Sequence, residues 1–125
     1  MGVHAFDVLG DPVRRRILEL LADRRRLDGA PLAAGELAAA IGAEFGISQP
    51  AVSQHLKVLR DSGFASVTVA GQRRLYAIDD APLREVDDWL ERYRQFWAPR
   101  LDALDLEVRR GKRARHRSND EETSR

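Results

Sequence analysis

A chain of 125 residues, 43% hydrophobic and 33% charged, has the make-up of one globular domain around one modest core, which excludes a multidomain machine. It has no cysteine, which excludes disulfide frameworks and thiolate metal sites and fits a reducing cytoplasm, and no stretch approaches the about 20 apolar residues that a bilayer requires. The formal net charge of +1 is unevenly placed: Arg109 to Arg125 holds seven Lys or Arg against three Asp or Glu, so the body before it is mildly acidic and any DNA-binding surface must be a local basic patch.

Ala, Leu and Arg are abundant, and the chain reads as mostly helical. Phe6, Leu9, Val13, Ile17, Leu20 and Leu21 recur at helical spacing, with Asp11-Pro12 between them as a helix-start signal. The pattern predicts a short helix over 3–9 and a longer one over 12–23. Arg14-Arg15-Arg16 and Arg24-Arg25-Arg26 flank it, and their plainest reading is solvated faces. Asp28-Gly29-Ala30-Pro31 reads as a loop, and the run Glu36 to Ile41 as a helix ending between Gly42 and Gly46. Ser48 then caps a helix with Pro50 in its first turn, which stops at Asp61-Ser62-Gly63. At 100° per residue, Val52, Leu56 and Leu59 share one face of that helix, while Pro50, Ser53, Gln54 and Lys57 turn to the other.

Phe64 to Val69 and Arg74 to Ile78 read as two strands around an Ala70-Gly71-Gln72-Arg73 loop, the only β signal in the chain. From Leu83 the residues Val86, Leu90, Tyr93, Trp97, Leu101, Leu104 and Val108 step by 3, 4, 3, 4, 4, 3 and 4, an apolar stripe that predicts a long helix kinked or broken near Pro99. Beyond Arg109 the apolar residues vanish, and 109–125 is expected to be a disordered basic tail following a domain over 1–108. Six Lys or Arg between Arg109 and Arg117 suit either phosphate contact or a solubilising end.

The order of helices, turn, helix and hairpin describes a winged helix-turn-helix: mainly α, with a small β-hairpin and a long C-terminal dimerisation helix. A helix held at a fixed angle by its neighbour enters a major groove about 12 Å wide with its N-terminal side chains towards base edges. The small polar side chains of Ser48, Gln49, Ser53 and Gln54 permit that approach, with Lys57 one turn on, while the aliphatic face keeps the helix seated. Arg73 and Arg74 stand where a wing reaches phosphates or a minor groove, and they would equally protect a strand edge.

Leu9 to Leu21, reading LGDPVRRRILELL, followed by Glu36-Leu37-Ala38 and by Ile47 to Leu59, reading ISQPAVSQHLKVL, strongly resembles the ArsR-type bacterial repressors. The resemblance runs from about Phe6 to Val108. It implies a homodimeric repressor on a double-stranded DNA operator, with DNA contacts at Ser48, Gln49, Pro50, Ser53 and Gln54 and at Arg73 and Arg74. It also implies dimer contacts through the first and last helices, here Phe6, Leu9, Leu83, Val86, Leu90, Tyr93, Trp97 and Leu101. Between Glu36 and Ser48 the chain holds about one helical turn more than is usual in the family, which predicts a longer elbow.

Metal-responsive members of that family use cysteines, or His with carboxylates on the last helix. Here that helix offers Asp87, Asp88 and Glu91 without a histidine, a poor transition-metal site, so no metal and no cofactor is expected. His4, His55 and His116 have no partner at ligand spacing. Ser53 and His55, two residues apart on a helix, point about 200° from each other, so catalysis is not expected. Release from DNA is left to a small-molecule effector, a partner protein or autoregulation by concentration. The alternative to a repressor is an interaction module or ligand sensor acting through Trp89, Tyr93, Phe96 and Trp97.

Overall fold

The computed structural model describes residues 3–98, with side chains from Ala5 onward. Leu101, Leu104, Val108, the Pro99 kink and the 109–125 tail lie outside the described residues. The chain divides into two units, one ending at Asp87 and one beginning at Asp88.

In the first unit, α1 (Val3–Leu9) is followed by α2 (Pro12–Leu27). The α2 start is set as expected: the Asp11 carboxylate accepts from the amides of Val13 at 2.8 Å and Arg14 at 3.3 Å, and Pro12 fills a position whose amide needs no partner. The helix runs four residues past the expected end, because Arg24, Arg25 and Arg26 are good helix formers whose charge suits a C-terminal turn.

A strand absent from the sequence reading follows, β1 (Leu32–Ala33), and then α3 (Ala34–Phe45). Glu36 secures the start of α3 by accepting the Ala33 amide at 2.9 Å. At the other end Gly46 takes φ 66°, a left-handed conformation that costs other residues about 1–2 kcal/mol. The extra turn is absorbed as helix within α3. The elbow before α4 (Gln49–Asp61) is therefore only Gly46, Ile47 and Ser48, not the longer one expected.

After α4 the amide of Phe64 donates to the Leu59 carbonyl at 2.9 Å, closing the helix and driving Phe64 fully into the core. Strands β2 (Ala65–Ala70) and β3 (Arg73–Ile78) form the hairpin, with Gly71 and Gln72 as its two-residue turn. β1 pairs antiparallel with the other side of β3, Leu32 opposite Tyr76 and Ala33 opposite Leu75, giving the sheet order β1-β3-β2. The hairpin is thus part of a three-stranded sheet. Ile17, Leu37, Ile41, Val52, Leu59 and Phe64 are fully buried where α2, α3, α4 and the sheet meet.

Helix α5 (Ala81–Glu91) starts in the first unit, where Leu83 and Val86 pack against that core. In the second unit α6 (Arg94–Trp97) follows after a break at Arg92 and Tyr93. The stripe predicted one helix continuing to about Pro99. Instead, shorter bonds from the Tyr93 amide to the Leu90 carbonyl and from the Phe96 amide to the Tyr93 carbonyl tighten the backbone there. An apolar stripe records which side of a segment is greasy, and a tightened turn leaves that side intact. The architecture is a winged helix-turn-helix, and among the described residues no helix is long and apolar enough to span a membrane.

Candidate nucleic-acid interface

Helix α4 has two faces of opposite character. Val52, Leu56 and Leu59 are buried, whereas Ser48, Gln49, Pro50, Ser53, Gln54 and Lys57 are all exposed. Gln49, Ser53 and Lys57 follow one another at four-residue steps, so they form a column along the helix, with Pro50 and Gln54 beside it. Ser48 works structurally as well: its Oγ accepts the Ala51 amide at 3.2 Å, and its hydroxyl hydrogen remains to donate outward. Lys57 is engaged, its Nζ lying 2.7 Å from Asp61 Oδ2, and Arg60 Nε meets Oδ1 of the same carboxylate at 3.2 Å. The hydrogen bond from Lys57, then that from Arg60, holds the Asp61 carboxyl below its ordinary range.

The wing presents a second cationic point. Arg73 and Arg74 open β3 opposite Ala70 and Val69, and both are exposed. Successive strand residues face opposite ways, so one wing arginine serves each side of the hairpin. Val69, 64% exposed, adds an apolar contact point near the tip.

The two arginine triplets lie half-buried to exposed, as expected of solvated faces, and they also make specific contacts. Arg14 donates to His55 Nδ1 at 3.2 Å and to the Asp7 carbonyl at 3.4 Å, and Arg15 donates to the Leu9 carbonyl at 2.7 Å. Arg16 bridges Glu44 of α3 at 3.0 Å and Glu19 at 3.2 Å. Arg24 and Arg25 reach the carbonyls of Pro31 at 3.2 Å and Ile78 at 3.5 Å, at the end of the sheet where β1 begins and β3 finishes, and Arg26 pairs with Asp23. Five of the six therefore tie α2 to a neighbouring segment. No local pattern announces this, because the partners lie in other elements.

Comparison with known proteins agrees with this arrangement. Residues 9–68, which run from the last residue of α1 through the helix-turn-helix into β2, match the family profile described as a helix-turn-helix domain. The chain is 40% identical over 97 residues to the HTH-type transcriptional regulator Rv2034 of Mycobacterium tuberculosis, covering 78% of each protein. It is 31% identical over 87 residues to the transcriptional repressor SdpR of Bacillus subtilis, covering 70% of this chain and 86% of that one. A crystal structure of the ArsR family transcriptional regulator RHA00566 superposes with a TM-score of 0.60 at 29% identity, over 75% of this chain and 87% of that one. The chain belongs to the ArsR family of helix-turn-helix transcriptional regulators.

As an ArsR-family member it is a DNA-binding transcriptional regulator. Among the described residues no group of three or more His, Asp or Glu is arranged to hold a metal ion. The side chains expected at a dimer seam differ in character. Phe6 is 41% and Trp97 54% exposed, whereas Leu9 is half-buried, and Leu83 and Val86 are already seated on their own core. In the second unit Trp89 and Tyr93 lie with ring centroids 4.6 Å apart, Tyr93 and Phe96 6.1 Å apart, and Leu90 is half-buried. Sequence reasoning assigned no partner to Arg14 or His55. The position of His55 on α4, between the buried and exposed faces, is the signal in the residue order that such a contact leaves.

Proposed function

We propose that this ArsR-family regulator is a dimeric repressor that reads a two-fold operator with α4 and steadies itself on the flanking backbone with the wing. The observation that carries the reading is the division of α4 into a buried aliphatic face and an exposed face of short polar side chains. Gln49, Ser53 and Gln54 meet base edges, since amide and hydroxyl groups both donate and accept there. Ser48 and the α4 N-terminus face phosphate, Pro50 keeps that end free of bulk, and Lys57, Arg73 and Arg74 supply cations. Half-sites are then expected about 34 Å apart, one turn of DNA. The direction of regulation follows the SdpR likeness: a protein seated on a promoter excludes polymerase, and no chemical step is needed.

The two copies would join through Phe6, Leu9 and the aromatic segment that includes Trp97. The exposure of Phe6, Phe96 and Trp97 supports this, because large apolar side chains left in water favour a partner surface.

The test is a selection of bound duplexes from a random pool, followed by affinity for the selected duplex against a scrambled one of the same length. The double variant Gln49→Ala, Ser53→Ala is expected to lose about a hundredfold of that preference while keeping its affinity for the scrambled duplex. An unchanged preference would mean that α4 does not read bases.

A further inference from the structure

Arg14 joins three helices through one guanidinium. It stands in the first turn of α2, its Nη1 donates to the Asp7 carbonyl in α1 at 3.4 Å, and its Nε donates to Nδ1 of His55 in α4 at 3.2 Å. Both side chains are half-buried. A guanidinium nitrogen only donates, so His55 Nδ1 presents a lone pair and the ring hydrogen sits on Nε2. The contact exists only with the unprotonated ring.

The charged groups around the ring define what a proton would do. Asp11, which caps α2 through the amides of Val13 and Arg14, is the carboxylate that feels the charge of His55. Burial alone would raise the Asp11 carboxyl, but the hydrogen bonds from the Arg14 and Val13 amides and the Arg14 charge, joined by His55 whenever its ring is protonated, hold it below its ordinary value, so it stays ionised near neutral pH. Charges on the other elements are engaged elsewhere: Glu44 of α3 by Arg16, and Lys57 and Arg60 of α4 by Asp61. Next to Arg14 lies a cleft of about 420 Å³ lined by Asp7, Val8, Val58, Asp61 and Ser62, wide enough to receive the guanidinium if it swings away.

We propose that His55 is the positioning residue of the reading helix: its unprotonated ring, through Arg14, fixes the rotation of α4 against α1 and α2, and a proton on Nδ1 releases it. A protonated Nδ1 sets a donor against a donor and a cation against a cation. Arg14 then turns into the cleft towards Asp7 and Asp61, and the imidazolium draws towards Asp11. Because His55 is adjacent to Gln54 and within one turn of Ser53, a rotation at His55 displaces the base-reading column. Selective binding to DNA therefore weakens once the ring takes a proton, the reverse of the general gain in attraction that added positive charge gives.

This inference rests on α4 being the reading helix, and the experiment separates the two. With the full chain at fixed salt, the ratio of affinities for the selected and scrambled duplexes is measured at about pH 7.5 and about pH 5.5. The wild-type ratio is expected to fall about tenfold, as for loss of a charge-assisted hydrogen bond. In His55→Asn the amide oxygen takes the place of Nδ1 and does not titrate, so the higher ratio is expected at both pH values. In Arg14→Gln the lower ratio is expected at both. His4 and His116 remain in His55→Asn, so a wild-type fall shared equally by that variant overturns the proposal, as does a wild-type ratio that does not move. Thermal melts identify a variant that fails to fold. If Arg14→Gln does so, the contrast between wild type and His55→Asn decides alone. Should Gln49→Ala, Ser53→Ala keep the preference, the reading helix itself is wrong; should it lose the preference while His55→Asn tracks wild type, only the positioning role falls.

Discussion

Lys57 stands on the face of α4 proposed to meet DNA, yet its ammonium already lies 2.7 Å from Asp61. Both side chains are more than half exposed, so the pair is weak and phosphate can compete for the lysine. Asp61 therefore acts as a brake on phosphate contact. In Asp61→Asn the affinity for DNA of any sequence is expected to rise about threefold, and the slope of log affinity against log salt to steepen by about one contact. Filter binding over a salt series checks this, and an unchanged slope would place Lys57 off the phosphate path. The Asp61 carboxyl is depressed by its partners, so its hold on Lys57 is complete above the ordinary carboxylate value of about 4 and is lost only as pH falls through the lowered value. At neutral pH the wild-type brake is fully on, and the comparison with asparagine is clean.

Among the elements, the elbow between α3 and α4 carries the most consequence for docking. Gly46 holds a left-handed conformation, and its amide donates to the Gly42 carbonyl at 2.8 Å. Gly46→Ala is expected to destabilise the protein by about 1 kcal/mol, lowering the melting temperature by about 5 °C for a domain of this size, as measured by circular dichroism. A melt equal to wild type would show that the elbow relaxes without strain. Most elements were legible because their signals are local. Asp11-Pro12 and Ser48 with Pro50 marked helix starts, Gly63 marked a stop, and the i, i+4, i+7 spacing of Val52, Leu56 and Leu59 marked a buried face. β1 was invisible because two residues, Leu32 and Ala33, have no periodicity, and they become a strand only by pairing with Leu75 and Tyr76 far along the chain. The same distance hid the link from Arg14 to His55, 41 residues apart. The faces of α4 could thus be read from residue order, but the groups that fix its orientation could not.

For the molecule as a whole, recognition of the proposed two-fold site requires two copies, and the exposed aromatics among the described residues are the surface proposed to hold them. Trp97→Ala removes a large apolar side chain that is 54% exposed. Sedimentation equilibrium is expected to show twice the chain mass for wild type at micromolar concentration and a shift towards the single-chain mass for the variant. A wild-type protein at the single-chain mass would remove the paired reading. The stripe from Leu83 to Trp97 promised one continuous surface, whereas Leu83 and Val86 are spent inside their own unit. Periodicity cannot tell an inward apolar residue from one awaiting a second copy, because both avoid water for the same reason.

The central strand of the sheet begins at the wing arginines and ends at Ile78, and only Asp79 and Asp80 separate it from α5. Two residues leave no slack. Sliding of the hairpin along its own length therefore tugs on the first turn of α5, and Arg25, holding the Ile78 carbonyl, makes α2 resist that pull. A groove contact of the proposed kind at one end of β3 would thus be felt by the helix at its other end, as by the two ends of a single rod.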